Sequence, residues 1–130
     1  MPLLRFDLME GRSEAEIGKL LDTAHNAMVA AFKVPPRDRY QIVHLHPSAT
    51  TFIVQDTGLN IPRTDNVIIL QVVSRKRTLD QKQTFYHLLV ESLLLICGIK
   101  PSDVMVSFLE NTDADWSFGY GRAQFITGEL

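Results

Sequence analysis

The sequence predicts an α/β (α+β) fold in which two βαβ repeats form one four-stranded mixed sheet with two helices on one face. Three observations carry that expectation. The 130-residue chain repeats its pattern at an offset of 65, half its length. Both helical stretches open with the same hydroxyl and N3 pair, Ser13 with Glu16 and Thr78 with Gln81, the signature of a capping box that satisfies orphan backbone amides reciprocally. The run Val67 to Val73 is apolar at positions of both parities, the pattern of a strand covered on both sides.

Leu3 to Leu8 reads as the first strand, and Gly11-Arg12 leads from it to a helix over about Ser13 to Phe32. Ile17, Leu20, Leu21, Ala24, Ala27, Met28 and Ala31 fall on one stripe of a 3.6-residue period, which packs on a sheet. Val34-Pro35-Pro36-Arg37-Asp38 breaks the helix, because proline lacks the amide that a helix needs, and feeds a strand from Tyr40 to His46. The second half repeats each step: a strand Val67 to Val73, a lead-in Lys76-Arg77, a helix over about Thr78 to Cys97, the breaker Ile99-Lys100-Pro101-Ser102-Asp103, and a strand Val104 to Leu109. Arg12 with Arg77, Pro36 with Pro101 and Asp38 with Asp103 keep the register. Each βαβ crossover is right-handed with parallel strands, so two units joined edge to edge make a mixed sheet. The expected organisation is a single domain over 1–130, with repeats at about 2–46 and 67–111 and a C-terminal arm over 112–130. Two helices cover only one face, so a partner subunit is expected on the other. The second helix agrees, since Phe85, Leu88, Leu89, Val90, Leu93, Leu94, Leu95 and Ile96 spread beyond one stripe.

With 13 Lys+Arg against 15 Asp+Glu, a net charge of -2 and no block of like charge, the chain lacks the electrostatic footprint of a nucleic-acid or anionic-membrane binder. It shows neither a basic segment followed by an apolar signal core nor an apolar run of about 18 residues, so no membrane is involved and the protein is expected to be cytoplasmic. Cys97 is the only cysteine, which excludes an intrachain disulfide and a multi-cysteine zinc site; its apolar helical setting predicts core packing. His44 and His46 share a strand face, but two ligands without a third fall short of a metal site. His25 and His87 fall in helices and read as surface or boundary residues.

Pro2 stands directly behind Met1 and ahead of the first strand. Removal of Met1 leaves a secondary amine held by a strand. An α-amino group titrates at about 7.7 to 8.0, and burial, cations or a carboxylate set it as base, acid or nucleophile. With Met1 retained, the Pro2 nitrogen is a tertiary amide without basicity. Arg75 and Arg77 follow the end of the third strand with one residue between them, so in extended geometry both project from one side. Guanidinium is permanently charged and pairs bidentately with a carboxylate, and strand ends of α/β sheets commonly bind ligands. The alternative is a solvated pair, or Arg77 serving the helix start as Arg12 does; two cations there oppose the helix dipole, which favours the ligand reading. Asp38 suits either turn chemistry, as its mate Asp103 does, or the orientation and deprotonation of a water. Trp116 and Phe118, with the flexible Gly119 and Gly121, form either an apolar pocket wall or an arm that packs on a neighbouring subunit.

These residues resemble the tautomerase superfamily, whose members are built on paired βαβ units and use an N-terminal proline. Within it the chain is most similar to the malonate semialdehyde decarboxylases. The resemblance spans the chain and rests on five motifs in order: Met1-Pro2-Leu3-Leu4, Asp38-Arg39-Tyr40-Gln41, Asp56-Thr57-Gly58-Leu59, Ser74-Arg75-x-Arg77 and Asp113-Ala114-Asp115-Trp116-Ser117-Phe118-Gly119. The stretch from His44 to Gln55 departs from the family pattern. The resemblance implies Pro2 as the catalytic amine, Asp38 as the residue that assists with water, Arg75 and Arg77 as carboxylate binders, Trp116 and Phe118 as the substrate's apolar wall, and a homotrimer. The implied activity is decarboxylation of a small 3-oxo acid such as malonate semialdehyde, with hydratase capacity and with neither a metal nor an organic cofactor. The same residues suit a keto-enol tautomerase or a haloacrylate hydratase or dehalogenase. A non-catalytic trimeric binding protein would keep the fold without the chemistry.

Overall fold

The structure is a computed structural model that describes residues 2–130; the expected removal of Met1 lies outside the described residues. The chain runs β1 (Leu3–Met9), α1 (Glu14–Phe32), β2 (Tyr40–His46), β3 (Ile68–Arg75), α2 (Leu79–Cys97) and β4 (Val104–Asn111), followed by an arm that ends in the short α3 (Gln124–Thr127). The sheet order is β2-β1-β3-β4. β1 pairs parallel with β2 and β3 parallel with β4, while β1 and β3 meet antiparallel at the centre. The result is the mixed sheet of two βαβ units.

Both capping boxes form, Ser13 with Glu16 at α1 and Thr78 with Gln81 at α2. Strand β3 runs two residues past the apolar pattern because its pairing with β4 continues through Ser74 opposite Glu110 and Arg75 opposite Asn111. Alternation along β1 and β3 sends Leu4, Phe6, Leu8, Ile68, Leu70 and Val72 into one core against Leu20, Ala24 and Met28 of α1 and Phe85, Leu89 and Leu93 of α2. On the other face Tyr40, Ile42, Met105 and Leu109 are exposed and Leu3, Ile69 and Val73 are half-buried. The apolar residues of α2 spread beyond that buried line, as expected, with Leu94, Leu95 and Ile96 exposed, Leu95 at 82%. Cys97 is half-buried and packs against the core, with Sγ 3.7 Å from Thr23 Oγ1. His25 is buried, contrary to the boundary position expected of it. Among the described residues no helix is long and apolar enough to cross a membrane.

Candidate active site

Register brings the singled-out residues to one end of the sheet. Leu3 lies opposite Val73 in the antiparallel pair and opposite Tyr40 in the parallel one, so the buried Pro2 continues toward Ser74 on one side and the Asp38-Arg39 turn on the other. Ser74 is fully buried and its Oγ accepts from Arg77 Nε at 3.1 Å. The Arg77 guanidinium lies 5.0 Å from the ring centre of Phe32, at the end of α1. Arg75 takes a different course. Its Nη1 donates to Asp113 Oδ1 at 2.9 Å, and its guanidinium stacks 4.0 Å over Phe125 of the arm. The expected parallel projection of the two arginines is therefore corrected: β3 ends at Arg75, strand alternation stops there, and the Ser74 hydroxyl draws Arg77 toward α1. They still border one concavity of about 630 Å³, with Asn111, Thr112 and Asp113.

Asp38 is 5% exposed, and neither of its oxygens has a hydrogen-bond partner among the described residues; the same holds for Arg77 Nη2. Burial pushes the Asp38 carboxyl above its ordinary range, against the pull of Arg77 and Arg75. Burial likewise pushes the Arg77 guanidinium down, with Arg75 adding to the effect and Asp38 opposing it; it remains charged. The repeat supplies an internal control. At the offset position Asp103 accepts from Thr64 N at 2.7 Å and from Thr64 Oγ1 at 2.5 Å, and Arg12 Nη2 donates to the Asn66 carbonyl at 2.6 Å. One half satisfies its Asp and Arg internally; in the other, among the described residues, both Asp38 oxygens and Arg77 Nη2 are buried without a partner.

Asp38 borders a second cavity of about 500 Å³ with Tyr40, Phe118, Gln124 and Leu130. Phe118 stacks on Tyr40 at 5.9 Å and meets Phe125 edge-on at 5.4 Å. Trp116 borders neither cavity; it stacks on Phe118 at 5.5 Å, with Nε1 donating to Asn111 Oδ1 at 2.7 Å. The arm thus packs on its own sheet end and is braced internally by Gln124, which accepts from Phe118 N and donates to the Gly119 carbonyl, each at 2.9 Å. Tyr40, Gln124, Phe125 and His25 border or support the site without having been singled out for it in the sequence. The available signal for His25 was its spacing from Leu21 and Met28, which places it on the buried stripe of α1. His44 and His46 flank Asp7 on the open sheet face, with His46 Nε2 2.7 Å and His44 Nδ1 3.9 Å from Asp7 Oδ1. Among the described residues no group of three or more His, Cys, Asp or Glu is gathered to hold a metal.

A family model described as a tautomerase enzyme matches residues 38–119, and a second with the same description matches residues 2–61. The chain belongs to the tautomerase family. This tautomerase-family chain is 56% identical to the probable tautomerase YrdN of Bacillus subtilis (strain 168), over 100% of both chains. It is 33% identical to the probable tautomerase YusQ of the same strain, over 97% of this chain and 99% of the relative. Among solved structures it is similar to a malonate semialdehyde decarboxylase determined in wild-type, mutant and inactivated forms as a basis for decarboxylase and hydratase activities. The TM-score is 0.95, with 53% identity over 98% of each chain. A malonate semialdehyde decarboxylase inhibited by 3-bromopropiolate gives a TM-score of 0.92 at 40% identity, over 98% of this chain and 97% of that one.

Proposed function

We propose that this protein is a cofactor-independent decarboxylase of a small 3-oxo acid such as malonate semialdehyde, with Pro2 as its terminal amine once Met1 is removed. The observation that carries this reading is the buried Arg77 Nη2, without a hydrogen-bond partner among the described residues, at the sheet end toward which Pro2 continues β1: a desolvated cationic donor suited to an anion. The 53% identity to a malonate semialdehyde decarboxylase supports the choice of substrate.

In this reading Arg77 binds the substrate carboxylate through charge-assisted hydrogen bonds. Arg75, held over Phe125, closes the same concavity. Protonated Pro2 hydrogen-bonds to the aldehyde oxygen, or Pro2 in its neutral form attacks the aldehyde carbon and, with uptake of a proton and loss of water, forms an iminium. The electron pair released as the carbon–carboxylate bond breaks flows into that carbonyl or iminium group, and carbon dioxide leaves. The resulting enol or enamine takes a proton at carbon, and water releases the amine where an iminium was formed. Phe118, backed by Trp116, supplies an apolar wall that favours loss of the charged carboxylate. Asp38 orients a water for the addition reaction with unsaturated acids. Partner copies covering the apolar open sheet face complete a homotrimer.

Keto-enol tautomerase activity is the second reading, favoured by the 56% identity to a probable tautomerase; it requires Pro2 neutral, as a base. The deciding experiment uses protein shown by intact mass to lack Met1, assayed with malonate semialdehyde, phenylenolpyruvate and 3-chloroacrylate. Malonate semialdehyde is expected to turn over fastest, and Pro2→Ala and Arg77→Ala are each expected to lower its turnover by about 100-fold or more. Faster conversion of phenylenolpyruvate would select the tautomerase. Inactivity on all three would select a non-catalytic binding protein.

A further inference from the structure

Four buried side-chain atoms lack a hydrogen-bond partner among the described residues: His25 Nδ1, both Asp38 oxygens and Arg77 Nη2. The proposed mechanism uses the last three and leaves His25 unexplained. His25 lies in α1 and is 5% exposed. Its Nε2 is 2.8 Å from the Pro36 carbonyl oxygen. A carbonyl only accepts, so Nε2 carries the hydrogen, and in the neutral ring Nδ1 is then a lone-pair acceptor. The anchored carbonyl belongs to the turn that presents Asp38, which Asp38 N closes by donating to the Pro35 carbonyl at 2.9 Å. One edge of the imidazole therefore fixes the turn, and the other offers a buried acceptor. The equivalent position in the second repeat is Val90, in the half where Asp103 is bonded by Thr64. The histidine occurs only in the repeat whose aspartate has no hydrogen-bond partner among the described residues.

We propose that His25 is the positioning residue of Asp38: Nε2–H pins the Pro35–Asp38 turn, and Nδ1 shares with the Asp38 carboxylate the water that Asp38 orients. This rests on the role given to Asp38 above. Nδ1 and an ionised carboxylate both accept, so a water between them donates both of its hydrogens and turns its lone pairs outward, the orientation that addition to an unsaturated acid needs. Buried acceptors left unbonded are costly, and a site with two or three polar partners suits a water.

The test compares His25→Gln, which keeps a donor and an acceptor, with His25→Phe, which keeps ring bulk and has neither, in protein lacking Met1. For 3-chloroacrylate hydration the Phe variant is expected to lose about 10- to 100-fold in kcat with KM little changed, while Gln recovers most of the loss. Decarboxylation, whose bond-breaking step uses no water, is expected to fall less. Full hydration by the Phe variant, or equal losses in both variants with wild-type melting temperatures, would overturn the proposal. A readout independent of activity is NMR of the ring nitrogens and of the Asp38 carboxyl. The Nε2–H tautomer is expected in the wild type, together with an upward move of the Asp38 titration in the Phe variant, where the water that donates to the carboxylate is lost. An Nδ1–H tautomer or an unmoved Asp38 would refute the tie even if both variants retained activity. Wild-type inactivity with the expected spectra would instead reject the assigned reaction and keep the His25–Asp38 pair.

Discussion

An ionised Asp38 carries a burial cost that its surroundings offset only in part, since neither oxygen is bonded among the described residues. Burial raises its titration above the ordinary value of 3.8. The folded carboxyl therefore holds its proton more tightly than the unfolded chain does. Below 3.8 both states are protonated and the group costs nothing; as pH climbs from there toward and through the raised folded value, stability is lost. Asp38→Asn is expected to raise Tm at pH 7, to change it little at pH 3, and to abolish water-dependent turnover, a trade of stability against function. Melts at the two pH values check this; a fall in Tm at pH 7 would mean that the attraction of Arg77 and Arg75 outweighs desolvation. In the sequence Asp38 and Asp103 are indistinguishable, each closing a proline-containing breaker. They diverge through Thr64, which reaches Asp103 from 39 residues away, a contact that no local pattern encodes. Arg75 and Arg77 part for the same reason, since Asp113 and Phe125 arrive from the arm.

Elements set by neighbouring residues were legible because their determinants are local. The capping boxes, the stripe of α1 and the proline breakers each depend on contacts within about one helical turn. The length of β3 was not legible, since β4 decides where pairing stops. The two helix ends separate local preference from geometry. Lys33 and Gly98 occupy equivalent offset positions, both left-handed, with φ 56 and φ 67. At α2 Gly98 N donates to the Leu94 carbonyl and Ile99 N to the Leu93 carbonyl, each at 3.1 Å; the first is the 5→1 bond of an αL termination. A Cβ at Gly98 would meet nothing within 4 Å, so Gly98→Ala is expected to cost about 1 kcal/mol through the backbone alone. Lys33→Gly is expected to return a similar amount at α1. Urea midpoints that move in these opposite directions with an unchanged m-value would establish both.

At the scale of the whole molecule the repeat sets the architecture and leaves one sheet face to be explained. Two helices cover Leu4, Phe6, Leu8, Ile68, Leu70 and Val72, whereas Ile42, Met105 and Leu109 remain exposed on the opposite side. Exposed apolar residues in isolation are ordinary, but these share a sheet face with the half-buried Leu3, Ile69 and Val73, and a contiguous patch of that kind marks an association surface. The polar group Arg5, Asp7, His44 and His46 interrupts the patch, and its members already bond one another, Arg5 Nη1 with His44 Nε2 at 3.4 Å and His46 Nε2 with Asp7 Oδ1 at 2.7 Å. Met105 is suited to a test because it pairs with Ile69, well along β4 from the Arg75–Asn111 end where the site lies. The wild-type protein is expected to sediment at three times the mass of its chain. Met105→Glu places a carboxylate in the apolar patch, where desolvating it without a partner is costly, and is expected to shift sedimentation toward the single chain while the helical circular dichroism stays intact. A wild-type protein that sediments as one chain at micromolar concentration would show that the open face tolerates water, and the trimer would drop out of the functional reading.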